Sequence, residues 1–361
     1  MEQLSDRERQ VLEAVIRTYV ETAEATGSRT IARRYDLGVS PATVRNTMAD
    51  LEDKGFLFHP HTSAGRIPTD RAYRYFVDDL MRPAHVTDEE RARLRTQLLE
   101  QDIAHPLERL LRRAAHALGL VTGELGLVVS PRLDQTVLEK LELVSISSEK
   151  VLLVLTLGKG VVRTIYVDLP GAVPAETLAA VTVVLNERLA GHSLQEIRQT
   201  LPARLRDSVG SDDAAGDLIN IFLQSAAELF EAGALTRDEV HLGRASVLAS
   251  QPEFANEGRL RSLIELTEER DLLAAVLAER GAGPRMHITI GTEHGHPQLD
   301  DFTVVTSPYR IGGTSGVIGV IGPTRMPYEK VVSIVQSTSE MVSQILGEPR
   351  GGAGGNDGSD S

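Results

Sequence analysis

Apolar residues near the start of the chain recur at Val11, Leu12, Val15, Ile16, Tyr19 and Val20, intervals that place them on one face of a helix. Ser5 precedes the run with Glu8 three residues on, the spacing of a reciprocal cap. A helix over about residues 6–24 is predicted, and Gly27-Ser28 breaks it. Ser28 is placed to cap a short second helix whose Ile31, Ala32 and Tyr35 face inward. Asp36 to Val39 reads as a turn. Ser40-Pro41 then supplies an N-cap and a first-turn proline for a third helix, which runs to about Asp53 and ends at Gly55. Phe56-Leu57-Phe58 is strand-like, and His59–Thr69, with Pro60, Gly65 and Pro68, reads as a loop or hairpin arm. Asp70 caps a fourth helix to Leu80, and Pro83 closes the unit.

Residues 87–119 are helical again, split near Pro106, with Leu107, Leu110, Leu111, Ala114 and Leu118 on one stripe. That stripe either connects the N-terminal unit to the central domain or is simply core. Short strands follow at 125–129 and 141–146, and 151–157 and 161–167 flank Gly158-Lys159-Gly160 as a hairpin. Residues 177–190 read as helix, and 192–275 as mostly helical with a loop-rich break at 243–258. Strand signals return at 286–290, 301–306 and 316–321, before a terminal helix from Tyr328 to Leu346. Strand–helix alternation that stops at 191 and resumes near 276–286 predicts one mixed domain interrupted by a helical insertion. The expected division is therefore 1–85, 86–191, an insert at 192–275, a return at 276–347 and a disordered Gly/Asp/Ser tail at 348–361.

Composition narrows the chemistry. The 361 residues hold no cysteine, which excludes disulfides, thiolate catalysis and Cys-based metal centres. No stretch of 18 apolar residues and no signal-peptide core is present, so a cytoplasmic location without membrane attachment is expected. The net charge of −13 argues against a generic polyanion binder. The charge is uneven, however. Residues 26–49 carry Arg29, Arg33, Arg34 and Arg45 against Asp36 alone.

Three short helices followed by a strand and a Gly/Pro-containing arm form a winged helix-turn-helix pattern. In the third helix Val44, Met48 and Leu51 must face the core, which turns Ala42, Arg45, Asn46 and Ala49 outward with Thr43 at the margin. That face is narrow enough to enter a major groove, where Arg pairs with guanine and Asn with adenine. A merely solvated face would more often carry Glu and Lys. Ser28, Thr30 and Ser40 offer hydroxyls to phosphate oxygens, and Arg29 offers charge. Thr62, Ser63 and Arg66 lie in the arm, which is tipped by Arg66, a residue expected at a minor groove or flanking phosphate unless it is simply a solvated loop arginine. Two roles are open to Arg71 and Arg74: phosphate contacts, or pairing with Asp70 and Asp78.

Rival chemistries find little support. Arg310–Gly316 lacks the Gly-Lys-Ser/Thr ending of a phosphate-binding loop and reads better as a turn entering a close-packed strand. His287, His294 and His296 lack a matching carboxylate geometry and read as loop residues rather than metal ligands. No Gly-x-Ser-x-Gly or His-Glu-x-x-His occurs, so no catalytic residue, cofactor or metal is expected, and the chain does not read as an enzyme.

The segments Ser28–Asp53, Pro60–Asp70, Tyr73–Val77, Leu185–Gly191, Gln251–Phe254 and Gly319–Met326 closely resemble the heat-inducible transcription repressor HrcA family. The likeness covers nearly the whole chain to Leu346. It departs at His241–Ser246, where relatives often carry Gly-Gly-Thr-Ser. The resemblance implies an α+β protein: an N-terminal winged helix-turn-helix and a central GAF-like domain holding an inserted, mostly helical dimerisation domain. It implies a homodimer that binds double-stranded DNA at an inverted-repeat operator, the CIRCE element, and shuts off chaperone operons. Heat inactivates such repressors, and a GroEL-type chaperonin promotes their active state. Base reading then falls on Thr43, Arg45 and Asn46, and the wing role on Thr62, Ser63 and Arg66. The competing expectation is a regulator that senses a small molecule in the GAF-like domain.

Overall fold

The computed structural model describes residues 4–60, 65–99, 106–131, 136–158, 161–206, 214–224, 240–281, 285–311 and 314–347. The architecture is mixed α/β. The first unit packs α1 (Asp6–Thr22), α2 (Ser28–Arg34) and α3 (Pro41–Asp53) against a two-stranded ribbon of β1 (Leu57–Phe58) and β2 (Ile67–Pro68). Ser5 and Glu8 cap α1 reciprocally, Glu8 Oε2 accepting from the Ser5 amide at 2.8 Å. Glu8 also receives Lys54 Nζ at 2.6 Å, which fastens the start of α1 to the end of α3. Val11, Leu12, Val15 and Ile16 meet Ile31, Val44, Met48 and Leu51 in a core closed to solvent. Then α4 (Asp70–Tyr75) runs into a wider π turn, Phe76–Leu80, before the chain leaves through Pro83.

The body is a five-stranded antiparallel sheet in the order β7-β3-β10-β9-β8. Its strands are β3 (Leu125–Val129), β7 (Val240–Leu242), β8 (His287–Ile290), β9 (Phe302–Ile311) and β10 (Thr314–Pro323). One face lies under α5 (Asp88–Leu99), α6 (Pro106–Thr122) and the C-terminal helix Tyr328–Gly347, sharing their core through Val128, Val305, Ile318 and Val320. The other face, with Leu125, Leu127, Phe302, Val304 and Ile321, meets the helices Glu257–Glu268 and Arg270–Gly281. Burial on both faces explains the near-continuous apolar runs of the sequence. Strand β9 extends past the expected Thr306 through Pro308 to Ile311. This is tolerated because β8 pairs only with Thr303–Thr306, so β9 is an edge strand beyond that point. Ile311 pairs with Thr314, so Arg310 and Ile311 lie in β9 and Thr314–Gly316 lie in β10, paired strand residues.

A second sheet stands apart. Among the described residues, strands β4 (Leu138–Ser147), β5 (Lys150–Leu157) and β6 (Val161–Asp168) pair only with one another, and α7 (Ala175–Leu189), α8 (Leu194–Leu205) and α9 (Ala214–Gln224) cover one side. Leu141, Leu153, Leu155, Leu185, Leu201 and Phe222 form its separate core. The inserted unit is thus strand-containing, its described elements running from Leu138 to Gln224, not the mostly helical 192–275 that alternation suggests. Periodicity identifies a strand but not the sheet it joins. The 240–281 segment belongs to the body, and His241-Leu242 is part of its edge strand β7. The chain leaves and returns at paired positions, Val129 opposite Val240. Leu107 touches both cores, whereas Leu110, Leu111 and Leu118 are simply buried. Leu107 thus bridges the body and the inserted unit, a different pair from the N-terminal and central domains. The expected 348–361 tail lies outside the described residues.

Ion pairs dock the N-terminal unit on the body. Arg17 forks onto Glu329 with both bonds at 2.8 Å, and Arg74 donates to Glu293 at 2.7 Å and to Ile288 O at 2.6 Å. Nearby, Glu124 is almost fully enclosed. Gln251 Nε2 donates to its Oε2 at 3.2 Å, and a Cβ at Gly322 would collide with its carboxylate. Burial pushes the Glu124 carboxyl up to about 8, against the opposing pull of Gln251 and Arg325. The native state then holds a proton that the unfolded chain releases near its ordinary 4.5, so this group withdraws stability as pH rises between those values. Glu124→Gln is expected to gain on the parent protein by a few kcal/mol between pH 5 and pH 8. Urea midpoints at the two pH values measure it; an identical difference at both would contradict the assignment.

Candidate nucleic-acid interface

The third helix is built to present one clean face. Ser40 Oγ accepts the Thr43 amide at 3.2 Å and Pro41 occupies the first turn, so the N-terminus of α3 is fixed by local chemistry. Val44, Thr47, Met48 and Leu51 are buried, which leaves Ala42, Arg45 and Asn46 exposed. Thr43 is half-buried at the margin, its hydroxyl 3.0 Å from Ser40 Oγ. Arg45 and Asn46 have no side-chain hydrogen bond or ion pair to the described residues. Their polar ends are committed to nothing among the described residues.

Beside this face, α2 begins one residue earlier in capping terms than expected. Gly27 takes the N-cap position, and Ser28 is the first helical residue, half-buried. Arg29 and Arg33 are exposed, while Arg34 is paired with Glu21, which reduces the local positive charge. Ser40, Arg29, Arg45 and Asn46 therefore remain together in one exposed helix–turn–helix segment.

The arm is placed differently from expectation. Thr62 and Ser63 lie outside the described residues. Arg66 sits at the base of the ribbon, not at its tip: its backbone exchanges hydrogen bonds with Thr26 at 2.9 and 3.0 Å. Its guanidinium grips Glu52 at 2.9 and 2.7 Å and is only 13% exposed. A carboxylate fourteen residues away, on another element, satisfies it, a partner that spacing does not reveal. Burial pushes the Glu52 carboxyl up, yet His59 at 2.8 Å and Arg66 outweigh it and hold the group below its usual range. Gly65 permits this closeness, since a Cβ there would collide with the Thr26 backbone.

Arg71 and Arg74 resolve separately. Arg71 donates to Lys54 O at 2.7 Å and lies over the Phe56 ring, 4.5 Å from its centroid. Arg74 does pair with Asp78, at 3.2 Å, but its stronger partner is Glu293 in the body. Sequence separation hid that second contact. Of the histidines, His287 lies in β8 and His294 Nε2 is 3.1 Å from Phe302 O. Among the described residues no group of three His, Asp or Glu is arranged to hold a metal, and no helix is long and apolar enough to cross a membrane.

The model of the HrcA protein C-terminal domain matches residues 108–332. A heat-inducible transcription repressor HrcA of Chlorobium phaeobacteroides (strain BS1) is 40% identical over 352 residues, covering 95% of this chain and 98% of that one. The chain belongs to the HrcA family. The HrcA of Chlorobaculum tepidum is 37% identical over 352 residues, again across 95% of this chain and 98% of the relative. A crystal structure of a hypothetical protein at 2.2 Å resolution shares the fold, with a TM-score of 0.64 and 21% identity over 96% of this chain and 99% of that one. HrcA relatives thus match both the N-terminal helical unit and the two-sheet remainder, end to end.

Proposed function

We propose that the chain is a heat-shock transcriptional repressor that binds an inverted-repeat (CIRCE) operator as a homodimer and shuts off chaperone operons. The carrying observation is the exposed Arg45–Asn46 face of α3, held outward by the buried Val44, Met48 and Leu51. The N-terminal unit serves as a winged helix-turn-helix and the five-stranded body as a GAF-like domain. In this reading Thr43, Arg45 and Asn46 meet base edges in the major groove. Ser28, Arg29 and Ser40 meet phosphates, and Thr62 and Ser63 follow the backbone as the wing. Arg66 has a positioning role, since its guanidinium is already held by Glu52.

Dimerisation supports palindrome reading, because two-fold protein symmetry matches two-fold operator symmetry. The inserted unit offers the surface: the side of β4–β6 away from its own helices exposes Val144, Ile146, Val162 and Tyr166. Heat shifts the dimer or inter-domain equilibrium, and a GroEL-type chaperonin restores the binding-competent form in the cytoplasm.

Arg29→Ala is expected to weaken binding to operator and random duplexes alike and to flatten the salt slope by about one unit. Anisotropy titrations across a salt series check this; a loss confined to the operator would move Arg29 to base reading. The function itself is tested by purified transcription from a promoter bearing the inverted repeat. Added protein represses it, a heat pulse relieves it, and chaperonin with ATP restores it. Undiminished transcription at saturating protein would refute the repressor assignment.

A further inference from the structure

The last turn of α1 carries no basic residue, so its C-terminal carbonyls lack a local cation. Arg325, in the body, supplies one. Its Nη1 donates to Val20 O, while Nε and Nη2 fork onto Glu253, the second bond at 3.0 Å. The two side chains are 14% and 10% exposed, so this is a sheltered pair whose breakage strands a charge, not a surface pair of negligible worth.

Each end of this contact leads somewhere. Glu253 lies in the single turn Pro252–Ala255, shortly after β7, the strand on which the chain returns from the inserted unit. The preceding Gln251 anchors that turn by donating to Gly123 O at 2.8 Å and to Glu124. On the other side, α1 ends in Ala23, whose left-handed backbone (φ 55°) turns the chain toward Thr26. Thr26 is fastened to Arg66 by two backbone hydrogen bonds, and Arg66 grips Glu52 in the last turn of α3. The body, the end of α1, the base of the ribbon and α3 are therefore joined by paired contacts without a gap.

We propose that Arg325 is a positioning residue for operator recognition: it carries the placement of the inserted unit's return strand to α1 and, through Thr26 and Arg66, to α3. This rests on the operator reading above and names a residue through which the body regulates it. Arg17 and Arg74 fasten the same two bodies, but they hold α1 and α4 along their lengths. Only Arg325 among these three meets the end of α1 that leads into α2.

The chain has no cysteine, so spin labels at Asp53→Cys on α3 and Glu340→Cys on the C-terminal helix report from those sites alone. Mixed with excess unlabelled protein, so that a labelled protomer pairs with an unlabelled one, the full-length parent is expected to give one narrow distance distribution. Arg325→Ala should broaden it and lower affinity for the symmetric operator about tenfold, with a smaller loss on a scrambled duplex. Arg325→Lys, which keeps the charge but not the fork, should fall between. Glu253→Gln preserves shape and should move both readouts in the same direction, and it decides the matter if Arg325→Ala does not fold. An unchanged distance distribution, or a broadened one with parental operator affinity, would overturn the proposal. If the parent itself does not distinguish operator from scrambled duplex, the operator reading fails, and the distance distribution still decides whether Arg325 fixes α3.

Discussion

Replacing Val144 and Tyr166 together by aspartate is expected to convert the proposed homodimer to a monomer and to lower operator affinity by about 100-fold or more. The two residues share a cross-strand row with Leu152, Val144 opposite Leu152 and Leu152 opposite Tyr166. Val154 and Val162 continue the same face in the next rows, against Glu142, Thr164 and Thr156. The opposite face, with Leu153 and Leu155, is fully buried under α7 to α9, so the monomer's own core does not need the substituted positions. Val144 is 45% and Tyr166 53% exposed, an open row of large side chains of the kind that marks an interaction surface. Two carboxylates on each copy would face two on the other across the contact, adding repulsion to lost burial. The large effect on DNA comes from losing the second half-site, whose binding is intramolecular in the dimer. Sedimentation equilibrium measures the first effect and anisotropy the second. A double variant that remains dimeric would move the interface elsewhere, and a monomer with parental operator affinity would break the link between symmetry and recognition.

Arg45→Ala is expected to cost about 1–3 kcal/mol per half-site contact on the operator and to relax preference at one base position in each half. The side chain is exposed and bonded to nothing in the described structure, so its removal leaves the fold intact. This separates it from Arg66, whose loss would leave Glu52 short of a partner and disturb the end of α3. Binding to a library randomised at each operator position checks the prediction. Equal losses on operator and random duplex would remove Arg45 from base reading.

Local chemistry made the N-terminal unit legible. The Ser5–Glu8 cap, the Ser40-Pro41 start and the Val44–Met48–Leu51 stripe are short-range signals, and the structure has each of them. They suffice to say which face of α3 points outward. What spacing did not reveal is long-range pairing. The 138–168 strands have the pattern of any half-buried strand, and only the ladder tells that they close on themselves. Arg66 was read as the tip of an arm because Glu52, on another element, is a partner that loop composition does not announce. Arg74 and Arg325 were legible as cations, but Glu293 and Val20 lie 219 and 305 residues away. Such contacts fix how the units sit on one another.

The overall acidity also takes a different meaning. Residues 1–82 hold 12 Lys and Arg against 13 Asp and Glu, so nearly the whole excess negative charge falls on the remainder. Within the N-terminal unit Arg29, Arg33 and Arg45 stay exposed. A protein of this kind has weak attraction to DNA in general and depends on paired, sequence-specific contacts.

The central claim is that a symmetric dimer reads an inverted repeat through two copies of α3. Footprinting of the full-length protein on the intact inverted repeat, and on one with a single half-site scrambled, tests it most directly. The account predicts two equal protected major-groove segments related by the dyad, with protection of both lost at the same concentration when either half is scrambled. Undisturbed protection of the remaining half at parental affinity, or equal protection of a fully scrambled duplex, would contradict it.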